Sequence, residues 1–344
     1  MVLIIILFYV FFFVLFFYGI KKKNNTESKA QIISIDESNA VKGLAAVMIF
    51  LAHSQNFFAE NSYNTPFLKP FSLLGGMGVL LFFFFSGYGI GKGYILKDPT
   101  IKFWKNRLLK IFIPSCIISA FSTVIIFLVK RESFKLFFQS LFGGQWYIDV
   151  IMLCYFAFFI SWIISKKNRW ILLLLTTIFC IAIGVFFFLL KFNARWYNGI
   201  MLFPFGLFIS IIEKDFKKLK NGVHITIAIL SIVVFIALGG LFAIFKGYLF
   251  ADIFKTFSGL SLSMFFVELI HFFEFGNPVS KLLGIRSLYV YLCHLWLLDL
   301  LTYLAQENVW FKNHIICDFY ILLIGSIVFT EICFRVFMLF NHKK

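Results

Sequence analysis

An all-α, polytopic transmembrane bundle is the fold class this sequence predicts, on three observations. Of its 344 residues, 61% are hydrophobic and 21% aromatic, while only 14% are charged. A water-soluble domain devotes about a quarter of its residues to charge, so this composition excludes one. Apolar stretches of about 20 residues, the length that crosses a hydrocarbon core of roughly 30 Å, recur along the chain. Lys and Arg gather in short runs between those stretches, which orients helices in a bilayer instead of building the soluble basic groove that nucleic acid requires. The formal charge of +16 therefore points to membrane lipids as partners and away from nucleic acid. Cys116, Cys154, Cys180, Cys293, Cys317 and Cys333 all fall in apolar stretches without paired metal-ligand spacing. They read as small core hydrophobes, and no metal site is expected.

The hydrophobic criterion marks eleven helices, near residues 3–20, 40–59, 71–91, 111–129, 146–165, 170–190, 196–212, 223–245, 256–273, 287–304 and 315–338. Residues 3–20 lack a preceding basic residue and a small-residue cleavage site, and Lys21, Lys22 and Lys23 follow them, so the stretch reads as a retained helix. Asp36-Glu37-Ser38-Asn39 supplies acids and a cap before the second helix. In the third, Gly87 with Gly91 and Gly89 with Gly93 are spaced for close backbone approach. Residues 100–112 carry Ile101, Trp104, Leu108 and Ile111 on one stripe, predicting an interfacial helix before the chain turns inward at Pro114. Gln145-Trp146-Tyr147 opens the fifth helix where aromatic anchors are expected. If Lys21, Lys22 and Lys23 are cytoplasmic, 22 of the 32 Lys and Arg fall on that side, predicting an outside N-terminus and a cytoplasmic C-terminus.

Ionisable groups at membrane depth are costly, so each is a functional candidate beside a structural explanation. Lys42 and His53 are eleven residues apart, almost three helical turns, and so share a face about 16 Å apart. Read structurally, Lys42 snorkels to the interface and His53 bonds a neighbouring helix. Read functionally, a cation at one mouth and an imidazole beyond the midplane mark a path. His294 lies in a later helix with Tyr291 three residues before it on the same face. Glu331 and Arg335, four apart, are expected to neutralise each other, and Glu268 and His271, three apart, to do the same, with Glu268 kept as a minor site candidate. Asp149, Asp299 and Asp318 read as structural. The sequence contains no Walker loop, HExxH or GxSxG motif.

Asp36 through Ser54 (DESNAVKGLAAVMIFLAHS) resembles the opening signature of the acyltransferase-3 family of integral membrane acyltransferases, a basic residue, ten intervening residues, then histidine. The resemblance continues in order through GVLLFFFFSGY ending at Tyr88, the basic segment from Arg107 to Ile111 with Pro114, Trp146-Tyr147 followed by Tyr155, and Tyr289 through His294. It spans roughly residues 36–340. It implies a ten-helix acyltransferase domain over residues 31–344, with residues 1–30 an accessory transmembrane helix and basic loop. It further implies O-acyl transfer, commonly of acetyl from acetyl-CoA as co-substrate and with no permanently bound cofactor, onto hydroxyls of an extracytoplasmic cell-surface or cell-wall glycan. Handling of the acceptor is expected from the bundle itself or from envelope-biosynthesis partners. The family commonly places Arg where this chain has Lys42, a point charge without the bidentate fork.

The expected mechanism places Lys42 and Arg107 on the donor and makes His53 the catalytic general base that takes the acceptor hydroxyl's proton. Ser86, Tyr88, Trp146, Tyr291, His294 and Glu268 are candidates for lining the route or bonding the oxyanion. A covalent relay through Cys293 is disfavoured, because adjacent helical residues point about 100° apart. The alternative is a transporter or exporter of a glycolipid or small solute, which the buried ionisable groups also fit. The Phe, Ile, Lys and Asn bias leans bacterial.

Overall fold

The computed structural model describes residues 2–23, 31–61, 65–94, 101–130 and 145–342. Lys29, Lys97, Arg131, Lys135, Lys343 and Lys344, which enter the charge count, lie outside them. The helices are α1 (Val2–Phe17), α2 (Ile35–Glu60), α3 (Phe71–Tyr94), α4 (Ile101–Arg107), α5 (Ile113–Lys130), α6 (Trp146–Ser165), α7 (Arg169–Leu189), α8 (Leu202–Phe216), α9 (Asn221–Ile244), α10 (Ala251–Phe272), α11 (Pro278–Ile285), α12 (Ser287–Glu307), α13 (Val309–Asn313) and α14 (Ile315–His342). Each of the eleven predicted segments falls on one of them. Eight stretches among the described residues are long and apolar enough to cross a membrane. This is a multi-pass membrane protein.

Where boundaries moved, local chemistry explains the shift. α2 starts at Ile35 because Ser34 closes a capping box: its hydroxyl accepts from the Glu37 N–H at 3.2 Å, and the Glu37 carboxylate accepts from the Ser34 N–H at 2.8 Å. Asp36 and Glu37 are thus first-turn residues, not a prelude to the helix. The expected turn at Pro114 is absent: α4 passes through a π-helical turn, Leu108–Phe112, straight into α5, giving one span from Phe103 to Val129. Proline lacks an N–H and its ring crowds the carbonyl four residues back, and the wider turn absorbs both defects. α8 begins at Leu202 instead of 196. The residues before it form a 3₁₀ turn, Ala194–Trp196, in which the Asn193 side chain accepts from the Arg195 N–H at 3.1 Å.

Short elements invisible to hydropathy tie the N-terminal segment to the rest of the bundle. β1 (Lys21–Lys22) pairs antiparallel with β2 (Phe273–Glu274), Lys21 opposite Glu274. α11 opens with an Asn277/Ser280 capping box and Pro278 in its first turn, and the Asn277 amide donates to the Leu15 carbonyl at 2.8 Å. At the other end of α1 the Tyr9 hydroxyl donates to the Phe67 carbonyl at 2.8 Å.

α2 packs against α3, α11 and α12, and α3 also packs against α8 and α10. Glycine sets how closely these helices cross. A Cβ on Gly87 would strike the Phe203 carbonyl of α8, and one on Gly206 would strike the Phe84 carbonyl of α3. In lipid, where apolar surface gives helices no reason to associate, such backbone approach supplies the dispersion contact that holds them. Of the predicted glycine pairs, Gly87 and Gly91 meet α8, whereas Gly89 and Gly93 have open space beside them. The periphery differs: 72% of the α3 span is buried inside the protein and only 6% of the α9 span.

Candidate active site

Two cavities are stacked along α2, α3 and α12. The first, about 270 Å³, is lined by Lys42, Ser86, Gly89, Arg107, Tyr155 and Ser287 among others. Arg107 ends α4 just before the π turn, and its guanidinium lies 4.8 Å from the centre of the Tyr155 ring and 5.6 Å from that of Phe103, a cation–π setting. Its Nε is buried and has no hydrogen-bond partner among the described residues. Among the described residues no carboxylate lines this cavity, so its two cations leave it positively charged. Pockets that enclose a whole drug-sized ligand run to about 300–1,000 Å³, so this one is small for such a ligand.

The second cavity, about 340 Å³, contains His53, Asn56, Gln145, Trp146, Arg195, Trp196, Asn198 and Lys255. His53 makes no hydrogen bond to a described residue and faces this space. Its ring centre is 5.3 Å from that of His294, which is itself 1% exposed. The Nδ1 of His294 lies 2.7 Å from the Val290 carbonyl. A carbonyl only accepts, so Nδ1 carries the hydrogen and Nε2 presents a lone pair; that Nε2 is buried without a partner.

Tyr291 is the residue that lines both cavities. It is 4% exposed, its hydroxyl has no partner among the described residues, and its ring meets Tyr147 edge-on with centres 5.4 Å apart. The expectation of a single tunnel from Lys42 to His53 therefore needs amending: there are two chambers with a tyrosine between them. Cys293, on the other side of α12, is wholly buried and turned toward Cys333 of α14, away from both chambers.

Two candidates stand elsewhere. The Tyr88 hydroxyl donates to the Glu213 carboxylate at 3.0 Å, and the same carboxylate takes Lys92 and the Ile32 N–H. Tyr88 thereby fastens the residues before α2 to α3 and α8 and lines neither chamber. Glu268 pairs with His224 of α9 at 2.9 Å, not with His271 as its spacing suggested; His271 stacks on His224 with ring centres 3.9 Å apart. Helix spacing counted neighbours within α10 and missed the helix beside it. Glu331 does bond Arg335, at 2.7 Å, and Arg286 joins it at 2.6 Å. Asp318 is wholly buried, and neither carboxylate oxygen has a partner among the described residues.

Sequence reading missed Arg195 and Lys255, which entered only as loop charges. Starting the helix at 256 put Lys255 outside it, whereas α10 starts at Ala251 and carries Lys255 into its second turn. The available signal was a cation next to Trp196 and another four residues into an apolar run. Glu213 gave no signal, because its partners are 121, 125 and 181 residues away.

The acyltransferase-3 family model, an acyltransferase domain, matches residues 35–335. The chain belongs to this family. Over 81 residues it is 35% identical to an O-acetyl transferase of Shigella phage Sf6, covering 23% of each protein. Over 99 residues it is 28% identical to the acyltransferase MdmB of Streptomyces mycarofaciens, covering 28% of this chain and 25% of that one. The chain thus spans about a quarter of the length of these curated relatives. No solved structure matches it.

Proposed function

We propose that this membrane acyltransferase moves an acyl group, acetyl in the simplest case, from cytoplasmic acyl-CoA to a hydroxyl of an extracytoplasmic envelope glycan, in a bacterial membrane with the N-terminus outside and the C-terminus inside. The observation that carries the reading is Tyr291, shared by a chamber holding Lys42 and Arg107 and a chamber holding His53. Donor and acceptor cannot cross the bilayer, so each needs its own vestibule and a common reacting point. Lys42 and Arg107 hold donor phosphate, while the uncharged thioester arm reaches Tyr291 between Phe82, Phe85 and Ser86. From the other chamber the acceptor hydroxyl approaches His53, which takes its proton as the new O–C bond forms. The oxyanion on the former thioester carbonyl accepts from the unpartnered Tyr291 hydroxyl. Collapse breaks the C–S bond, and the thiolate leaves with the proton that His53 returns. His294, packed beside His53 with its Nδ1 tied to the Val290 carbonyl, supports the position of the His53 ring from behind the chamber wall. The phage and Streptomyces relatives, named for O-acetyl and acyl transfer, support the reaction class.

Mass spectrometry of envelope polymers from cells with and without the protein tests this. The expected result is an ester lost with the gene, and release of free CoA by the purified protein only when a glycan acceptor is added. Movement of a glycolipid without CoA release would establish the transporter instead.

A further inference from the structure

The His53 chamber carries a charge that acyl transfer itself does not need. Arg195 and Lys255 both line it, no carboxylate does, and neither cation forms a salt bridge to a described residue. The Lys42 chamber shares this feature, whereas a third cavity does not. At the cavity beside β1, Lys23 meets Glu37 at 2.7 Å and Lys281 meets Asp36 at 3.2 Å. Asp252 lies one turn before Lys255, within electrostatic reach of it, and accepts from the Asn198 amide at 2.6 Å just behind the chamber wall. Even with that charge credited to the neighbourhood, the chamber remains positive. Lys255, half-buried in α10, is the costlier of the two to leave unpaired and is completed by an anion, while Arg195, exposed in the 3₁₀ turn Ala194–Trp196, adds a second cation at the same mouth.

Lys255 is positioned to receive one. Its side chain runs across α3 at Gly76, where a Cβ would lie 3.2 Å from Cε and 3.4 Å from Nζ, and its ammonium sits 5.7 Å from the centre of the Phe242 ring. Glycine at 76 gives the ammonium its berth in the chamber. The rest of the wall has a different chemistry: it includes the indoles Trp146 and Trp196 and the amides Gln145, Asn56 and Asn198, the last already donating to Asp252. Indole faces suit the C–H face of a pyranose, and amides suit vicinal hydroxyls.

The geometry points to an acceptor that is an anionic saccharide, its carboxylate or phosphate held by Arg195 and Lys255 while its free hydroxyl faces His53. This rests on the acyl-transfer reading and narrows its acceptor class.

The test is equilibrium binding, without acyl-CoA, of matched ligands to the full chain in zwitterionic nanodiscs. The ligands are a glucuronate-containing disaccharide with its carboxyl-reduced counterpart, and a sugar phosphate with the unphosphorylated sugar. In at least one pair the anionic member is expected to bind about tenfold tighter or more, as charge-assisted hydrogen bonds imply. Lys255→Met and Arg195→Gln are each expected to erase that preference and leave binding of the neutral member unchanged, with Lys255→Arg restoring it and serving as the folded control. Equal binding within both pairs, or equal weakening of both members, overturns the proposal. If the two cations serve a lipid headgroup instead, the variants lose co-purified anionic phospholipid without altering discrimination between ligands; that outcome overturns it too. Discrimination that survives in a protein without acyl-transfer activity would refute the reaction assigned above and leave this site standing. Acylation of neutral and anionic acceptors with equal affinity would do the reverse.

Discussion

The Lys42 and His53 chambers carry the same charge motif and differ in their walls. Each holds two cations and no carboxylate among its described lining. Around Lys42 and Arg107 the walls are Phe82, Phe85, Ile90, Ile111 and Tyr155; around Lys255 and Arg195 they are tryptophans and amides. Charge alone therefore does not tell donor from acceptor. A slot of phenylalanine and isoleucine suits a slender, weakly polar arm trailing from a phosphate, whereas amides repay the desolvation of a polyhydroxylated ring. The proton acceptors also separate: His53 belongs to the amide side, with His294 packed beside it, and among the described lining nothing basic and neutral accompanies Lys42.

Substitutions at four positions break or sharpen that contrast. The largest effect is expected from His53→Ala, a loss of about a hundredfold or more in kcat with KM for acyl-CoA unchanged, because the base acts only as the acceptor attacks. Steady-state CoA release checks it, and retained kcat would remove His53 from the mechanism. Next comes Tyr291→Phe, for which kcat is expected to fall about a hundredfold as one oxyanion donor is lost. Tyr291→Ala, by joining the chambers, should also raise acyl-CoA hydrolysis in the absence of acceptor. Lys42→Ala is expected to raise KM for acyl-CoA about ten- to a hundredfold, the range of a hydrogen bond to a charged group, with Lys42→Arg restoring affinity. A rise in acceptor KM instead would exchange the roles of the two chambers. The smallest change belongs to Tyr88→Phe: about 1 kcal/mol of stability through the Glu213 bond, read as a lower Tm, with kcat unchanged. A fall in kcat without a shift in Tm would return Tyr88 to the reaction path.

How far the site was legible depended on the range of the interaction. Lys42 and His53 lie on one uninterrupted helix, so the spacing of two residues in sequence is their spacing in space. Tyr291 and His294 were visible for the same reason, as neighbours on one face of α12. Glu268 was misjudged because its partner comes from α9, and Tyr88 because its acceptor comes from α8. A helical wheel contains no information about either.

By itself the sequence determined that this chain crosses a membrane many times, and nearly where, because a backbone in lipid must satisfy its hydrogen bonds within each helix and so must spell each span as a continuous apolar run. It also determined the helical separation of Lys42 from His53, which is local. Only the tertiary structure decided that Arg107 joins Lys42, that Arg195 and Lys255 join His53, and that Tyr291 stands between the two groups. These relations depend on how closely helices cross, which Gly87 and Gly206 set by letting α3 and α8 touch backbone to backbone. Crossing distance is a property of two surfaces together, and no single stretch of sequence contains it.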